Sequence, residues 1–171
     1  LDVGCGTGSL VVKIKSLSPE TDIHGIDPDK EILLRAKAKA KKNSVKISFH
    51  QGCLSPESRS ELGYFSKVAS SLVLHQTPIE EKRNILVSIF RLLLPGGKLC
   101  VADYGLQRTA LMKTLFRRTV QTIDGVKDTQ PNAEGCIPNL MQDVGFLEVS
   151  ETQVIPTLTG SISIYTAKSV V

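Results

Sequence analysis

A strand that turns into a helix through a run of glycines is the feature that most limits how this chain folds. The segment LDV is apolar around one acid, GCGTG follows directly, and apolar residues then repeat at helical spacing over residues 8–17. Such glycines either form a surface turn or bring bare backbone next to a ligand. Because free amides at a helix N-terminus attract anions, the second interpretation predicts a site for a phosphate or a carboxylate.

Strands and helices alternate along the rest of the chain. The patterns predict further strands at 22–27, 45–50, 67–74, 98–104, 146–154 and 161–167. They predict helices at 29–42, 79–94, 111–123 and 133–144, with a loop at 124–132. This alternation indicates an α/β fold with a doubly wound, mostly parallel sheet. A short loop joins the last two strands, so they form a hairpin and the final strand runs antiparallel. The first strand is already under way at Leu1, so we expect it to be truncated.

Composition limits the function classes. A chain of 171 residues fits one domain, residues 1–171. A net charge of +4 is too small to indicate nucleic-acid binding, and the basic stretch from Arg35 to Lys42 has no interleaved aromatic residues for base stacking. Four widely spaced cysteines favour reduced thiols and a cytoplasmic protein over a disulfide frame or a zinc site. No apolar run approaches ~20 residues, so no membrane span is predicted.

An acidic residue follows the glycine loop at the spacing of a nucleoside site. Asp27 ends the second strand about 20 residues after the loop, where a carboxylate accepts hydrogen bonds from ribose hydroxyls. Ser9 stands where a dinucleotide fingerprint GxGxxG has its third glycine. A nicotinamide-dependent oxidoreductase is therefore one alternative, which Ser9 and the terminal hairpin disfavour. The other is a protein that binds a different nucleoside with an anionic arm.

The ordered set LDVGCGTG, GIDPD, SSLVLHQ and LLPGGKLCVADYG resembles the class I S-adenosylmethionine-dependent methyltransferases. The likeness is to the small-molecule branch that includes ubiquinone- and menaquinone-biosynthesis methyltransferases. It implies a Rossmann-like, seven-stranded sheet, S-adenosylmethionine as cofactor, and methyl transfer to a small organic acceptor, for which we expect methylation at oxygen or carbon. The apolar residues of the segment after the fifth strand indicate either a hydrophobic or amphipathic acceptor or packing in the core. The likeness also implies that residues 105–132 are an insertion that covers the substrate. The family has helices upstream that close over the site, so we expect this chain to lack that lid. A methyltransferase-like domain that binds cofactor without catalysis is a further alternative.

The resemblance also assigns cofactor contacts around the glycine loop and the strand ends. They are Asp2, Gly4, Cys5, Gly6, Gly8, Asp27, Pro28, Gly52, Cys53, Leu54, Ser71 and Leu72. The amides from Gly6 to Gly8 would hold the methionine carboxylate, and the Gly4 carbonyl with the tip of the fourth strand would accept the amino group. Cys53 stands where the family usually carries an acid for the adenine amine, and a thiol is a weaker acceptor.

Three residues at the ends of the fourth and fifth strands are candidates for a general base: His75, Asp103 and Tyr104. Methyl transfer from a sulfonium requires in-line alignment and exclusion of water, and a base only if the acceptor is protonated. The fourth strand ends SSLVLHQTP. It contains neither an Asn-Pro-Pro-aromatic motif nor a Pro-Cys pair, which argues against amines of nucleic acid, glutamine and cytosine C5 as acceptors.

Overall fold

Seven strands form one sheet in the computed structural model, which describes residues 1–55 and 58–170, with the backbone alone for residues 59 and 60. The strands are β1 (Asp2–Val3), β2 (His24–Asp27), β3 (Ser48–Gln51), β4 (Phe65–Ser71), β5 (Leu93–Tyr104), β6 (Leu147–Thr157) and β7 (Gly160–Lys168). Their order is β3-β2-β1-β4-β5-β7-β6, and β7 runs antiparallel to both of its neighbours. The predicted Rossmann-like sheet with a short first strand and an antiparallel final strand is confirmed.

Helices connect the strands on both faces. In the described chain they are α1 (Ser9–Leu17), α2 (Lys30–Lys42), α3 (Ser58–Leu62), α4 (Ile79–Leu92), α5 (Ala110–Arg118), α6 (Val120–Asp124), α7 (Val126–Ala133) and α8 (Cys136–Val144). A 3-10 turn covers Leu74–Gln76. Asp29 caps α2 as its sequence predicts, because its carboxylate accepts from the amides of Glu31 and Ile32. No helix within these ranges is both long and apolar enough to cross a membrane.

The core lies between the sheet and the two helices α4 and α8. Alternate residues of β4 and β5, such as Val68, Leu99 and Val101, are almost fully buried there. Leu86 of α4 and Ile137 of α8 pack against the same cluster. Each such side chain contributes about 1.5–3 kcal/mol on burial, so this layer anchors the carboxyl ends of β4 and β5.

The boundaries of the elements around β4 and β5 differ from the prediction. Strand β4 ends at Ser71 instead of continuing to residue 74, because Leu72 takes a left-handed conformation (φ 57°) and turns the chain. Helix α4 ends at Leu92, so it does not continue to Pro95. Strand β5 already begins at Leu93, and its register against β4 shifts between Phe65 and Lys67, so the PGG segment bulges from the strand instead of ending the helix.

The region after β5 is more helical than predicted. The single helix predicted at 111–123 is divided into α5 and α6 at Thr119. The loop predicted at 124–132 is wrong, since residues 126–133 form α7. Thr129 and Asn132 of α7 are buried, so packing stabilises a segment whose local sequence is typical of a turn.

Candidate functional site

The glycine loop between β1 and α1 is held by backbone hydrogen bonds. Gly4, Gly6 and Gly8 have φ of 70°, 52° and 73°, a left-handed conformation that glycine adopts without steric cost. The Gly4 and Cys5 amides donate to the Ile26 carbonyl at 2.9 and 3.1 Å, and the Gly8 amide donates to the Cys5 carbonyl at 2.9 Å. Apart from Gly6 itself and its two chain neighbours, no described residue has an atom within 4 Å of the position that a Cβ on Gly6 would take, so the loop backbone borders open space.

Asp27 connects the loop to the end of β2. Its Oδ2 accepts from the Gly6 amide at 2.9 Å, and its Oδ1 accepts from the Asp29 amide at 3.0 Å. A carboxylate has about four acceptor sites, so Asp27 retains capacity for ribose hydroxyls. The Gly52 amide donates to the Asp27 carbonyl at 3.1 Å, which brings the end of β3 to the same place. Because the Gly6 and Gly8 amides already have acceptors within the chain, their binding of a carboxylate stays a prediction.

Asp2 leaves a buried carboxylate oxygen beneath the loop. The residue is 3% exposed, and its Oδ1 has no hydrogen-bond partner among the residues that the structure describes. Burial raises the pKa of its carboxyl to about 7, and the Asp27 charge acts in the same direction. A cationic group bound at the loop would complement this oxygen, and the predicted role of Asp2 toward a cofactor stays a prediction.

The tip of β4 lies against the loop. The parallel pairing of β1 with β4 places Val3 beside Ser70, the residues that directly precede Gly4 and Ser71. A Cβ on Gly4 would come within 2.2 Å of Val73 Cγ2, so only glycine allows this approach. Ser71 and Leu72 are both exposed. The structure therefore brings these predicted contacts together with the glycine loop.

The remaining predicted contacts differ in what they can offer. The Cys5 thiol is packed against Gly25, and burial raises its pKa to about 12, so Cys5 offers its backbone alone. Cys53 is exposed and Leu54 is buried, both directly after β3, while Pro28 is exposed after β2. Their roles toward a nucleoside stay predictions.

A second cluster brings His75, Asp103 and Tyr104 together at the carboxyl ends of β4 and β5. Asp103 is fully buried and its Oδ1 lies 2.8 Å from His75 Nδ1. The same carboxylate accepts from the amides of Val73 and Leu74 at 3.0 and 2.7 Å, and from the Tyr104 amide at 2.7 Å. A carboxylate oxygen accepts hydrogen bonds, so we assign Nδ1 as the donor in the His75–Asp103 contact, and Nε2 is the ring nitrogen that does not face Asp103.

The other edge of His75 faces the helical segment after β5. His75 Nε2 lies 3.5 Å from Asp124 Oδ2, and the ring packs edge-on against Tyr104 with centroids 5.0 Å apart. The Tyr104 hydroxyl is 2.7 Å from Thr159 Oγ1. Sequence reasoning missed Asp124, although an acid directly before Gly125 at the end of a helical pattern could have drawn attention to it.

Buried polar contacts fix α7 over this cluster. Asn132 Nδ2 donates to the Tyr104 carbonyl at 2.9 Å. The ammonium of Lys82 in α4 is buried and donates to the carbonyls of Thr77 and Asp128, and burial lowers its pKa. Sequence reasoning also missed Lys82. It precedes Ile85 by three residues, and that spacing puts it on the buried face of α4.

A cavity of about 700 Å³ is lined by Asp2, beneath the glycine loop, and by residues such as Lys67, Ala69 and Cys100 of β4 and β5. The other members of the two clusters lie at the carboxyl ends of the strands, where ligands bind in open α/β sheets. We therefore identify that edge as the candidate site.

Comparison with known sequences finds one family match and two curated relatives. Residues 1–97 match the family described as a methyltransferase domain. The chain is 26% identical over 127 residues to a demethylmenaquinone methyltransferase of Deinococcus radiodurans, covering 72% of this chain and 50% of the relative. It is 30% identical over 112 residues to an uncharacterized methyltransferase of Schizosaccharomyces pombe, covering 60% of this chain and 38% of the relative. The chain thus spans half or less of these relatives.

Solved structures share the fold at low sequence identity. An O-methyltransferase family protein from Burkholderia thailandensis superposes with a TM-score of 0.78 at 17% identity, covering 99% of this chain and 50% of that one. The magnesium protoporphyrin IX methyltransferase of Synechocystis with bound SAH gives 0.72 at 20% identity, covering 98% and 72%. A SAM-dependent methyltransferase from Methanosarcina mazei gives 0.73 at 20% identity, covering 99% and 91%.

Proposed function

Because the chain belongs to the methyltransferase domain family, we propose that it transfers a methyl group from S-adenosylmethionine to oxygen or carbon of a small organic acceptor. One observation carries the proposal. Val73 contacts Gly4 of the glycine loop through its side chain, and its amide donates to Asp103, which holds His75. A nucleoside-type site and a histidine–carboxylate pair therefore share one residue.

The residues of the first cluster match the parts of the cofactor. Asp27 would accept the ribose hydroxyls, and Asp2 with the Gly4 carbonyl would face the ammonium group. Backbone groups of Cys53 and Leu54 would border the adenine. When bound, S-adenosylmethionine supplies an electrophilic methyl group on a sulfonium.

His75 is the proposed general base for an acceptor that carries a proton. Asp103 is occupied by hydrogen bonds to the chain, so it orients the imidazole rather than binding the acceptor. The acceptor's O–H or C–H proton passes to His75 Nε2, and the resulting imidazolium lies between Asp103 and Asp124. Tyr104 packs against the ring and limits its rotation.

Residues 105–132 are the proposed cover of the acceptor within this single domain. Lys82 ties the Asp128 carbonyl to α4, which keeps α7 close to His75 and limits access of water. Exposed apolar side chains at Ile123 and Val126 suit a hydrophobic or amphipathic acceptor. The free cysteines of the described chain suit a cytoplasmic location.

Calorimetry and turnover assays on matched histidine variants test the proposal. We expect the protein to bind S-adenosylmethionine in preference to NAD. His75→Ala should lower turnover of a phenol or enol acceptor by ~100-fold or more while the cofactor Kd stays unchanged. His24→Gln, on β2 outside the site, is the control and should retain turnover. Preferential binding of NAD would refute the cofactor assignment. Full turnover in His75→Ala would refute the role of His75 as general base.

A further inference from the structure

One lysine of the basic helix α2 is directed at the glycine loop rather than at solvent. Lys39 Nζ donates to Thr7 Oγ1 at 2.9 Å and to Ser9 Oγ at 2.7 Å. Lys39 is half-buried, whereas Arg35 and Lys37 of the same helix are exposed. Within the basic stretch from Arg35 to Lys42, Lys39 thus has specific hydrogen-bond partners on the glycine loop.

Helix α2 touches the loop at a second point on the same face. A Cβ on Gly8 would lie 3.1 Å from the Ala36 Cβ, so the helix and the loop are in close contact. Ala36 and Lys39 are three residues apart and share a helix face. The contact of Ala36 with Gly8 and the hydrogen bonds of Lys39 therefore hold the loop from one side.

The loop needs such support because of its composition. Its three glycines with positive φ lose much conformational freedom when the loop is ordered. Thr7 and Ser9 flank Gly8, and the residues from Gly6 to Ser9 carry the amides at the start of α1. Holding both hydroxyls fixes the direction of these amides from the outer side of the loop.

We infer that Lys39 is a positioning residue for the amino-acid arm of the cofactor, acting through Thr7 and Ser9. The inference rests on the proposed binding of S-adenosylmethionine. An ordered loop loses less entropy on binding, so Lys39 increases affinity without touching the ligand.

The test uses two ligands and one matched control. Lys39→Met keeps the aliphatic stem and removes the ammonium, and Lys37→Met is the same change at an exposed position of α2. We expect Lys39→Met to weaken S-adenosylmethionine binding ~5- to 10-fold, as for the net loss of one ordinary hydrogen bond, since Lys39 acts on the ligand only through the loop. Binding of 5′-methylthioadenosine, which lacks the amino-acid arm, should stay unchanged, and Lys37→Met should change neither.

A variant that lacks the hydroxyls of Thr7 and Ser9 tests whether Lys39 acts through them. In a Thr7→Val, Ser9→Ala background, Lys39→Met should cause no further loss, because its partners are absent. Hydrogen exchange of the ligand-free protein should be faster at the amides of residues 6–10 in Lys39→Met.

Three outcomes would overturn the inference while leaving the cofactor assignment intact. They are an equal loss of affinity for both ligands, an undiminished loss of affinity in the Thr7→Val, Ser9→Ala background, and unchanged hydrogen exchange in Lys39→Met. Failure of the wild-type protein to bind S-adenosylmethionine would overturn the proposed function itself. The exchange measurement would then still test whether Lys39 orders the loop.

Discussion

The buried carboxyl of Asp2 predicts a specific dependence of stability on pH. Its pKa is raised from 3.8 to about 7, chiefly by burial, and the Asp27 charge adds to the shift. The native protein therefore holds the Asp2 proton up to about pH 7, whereas the unfolded chain releases it near pH 4. The stability that Asp2 contributes is fully present below pH 4 and is lost as the pH rises through about 7.

The magnitude follows from the size of the shift. A shift of roughly three units at about 1.4 kcal/mol each gives a loss of up to ~4 kcal/mol between pH 4 and pH 8. Asp2→Asn keeps the shape and removes the titration. Urea unfolding of wild type and variant across this range isolates the effect in the difference between their free energies of unfolding. We expect that difference to fall by ~2–4 kcal/mol with rising pH.

Glu20 is exposed and provides the control. Glu20→Gln also removes one carboxyl, and the difference in free energy of unfolding between this variant and wild type should not change with pH. A flat difference for Asp2→Asn would refute the reasoning. Bound S-adenosylmethionine should shift Asp2 from its protonated form toward its ionised form, because a cation near Asp2 favours the ionised carboxylate. The affinity of the wild-type protein for S-adenosylmethionine should then rise with pH up to about 7, whereas the affinity of Asp2→Asn should not. Calorimetry in two buffers would detect the proton that the wild-type protein releases on binding.

Two further substitutions test the nucleoside half of the site by calorimetry. Asp27→Asn should weaken S-adenosylmethionine binding by ~1.5–3 kcal/mol, because it removes the charge that holds the Gly6 amide and that would accept from the ribose hydroxyls. Asp29→Asn still caps α2 and is the control. Equal affinity in Asp27→Asn would contradict a ribose contact. Cys53→Asp should tighten S-adenosylmethionine by ~1.5–3 kcal/mol, since a carboxylate accepts from the adenine amine better than a thiol. An analogue without that amine should gain nothing, and equal gains for both ligands would show that Cys53 does not face adenine.

Local chemistry predicted much of the fold. Alternating patterns and short connections gave the seven strands and the antiparallel β7, and Asp29 marked the start of α2. The tip of β4 could not be predicted, because the apolar run LVL continues a strand pattern. Asp103 binds the amides of Val73 and Leu74 and draws them out of the strand, and this partner lies about 30 residues further along the chain.

Tertiary contacts also explain why α7 was missed. Gly125 and Pro131 favour a turn, yet Lys82 binds the Asp128 carbonyl and Asn132 binds the Tyr104 carbonyl. These contacts outweigh local preference. The sequence pattern brought His75, Asp103 and the glycine loop to one edge of the sheet, but it could not indicate that Asp124 and Lys39 would reach them from neighbouring helices.

The insertion of β7 between β5 and β6 has a consequence for synthesis on the ribosome. Lys98 of β5 pairs with Lys168, so one edge of β5 stays unpaired until the C-terminal hairpin has been made. Contacts this distant in sequence form slowly, and an open strand edge favours pairing with other chains. Nascent chains that end before residue 160 therefore expose an aggregation-prone edge, and a chaperone that covers β5 would raise the yield of native protein.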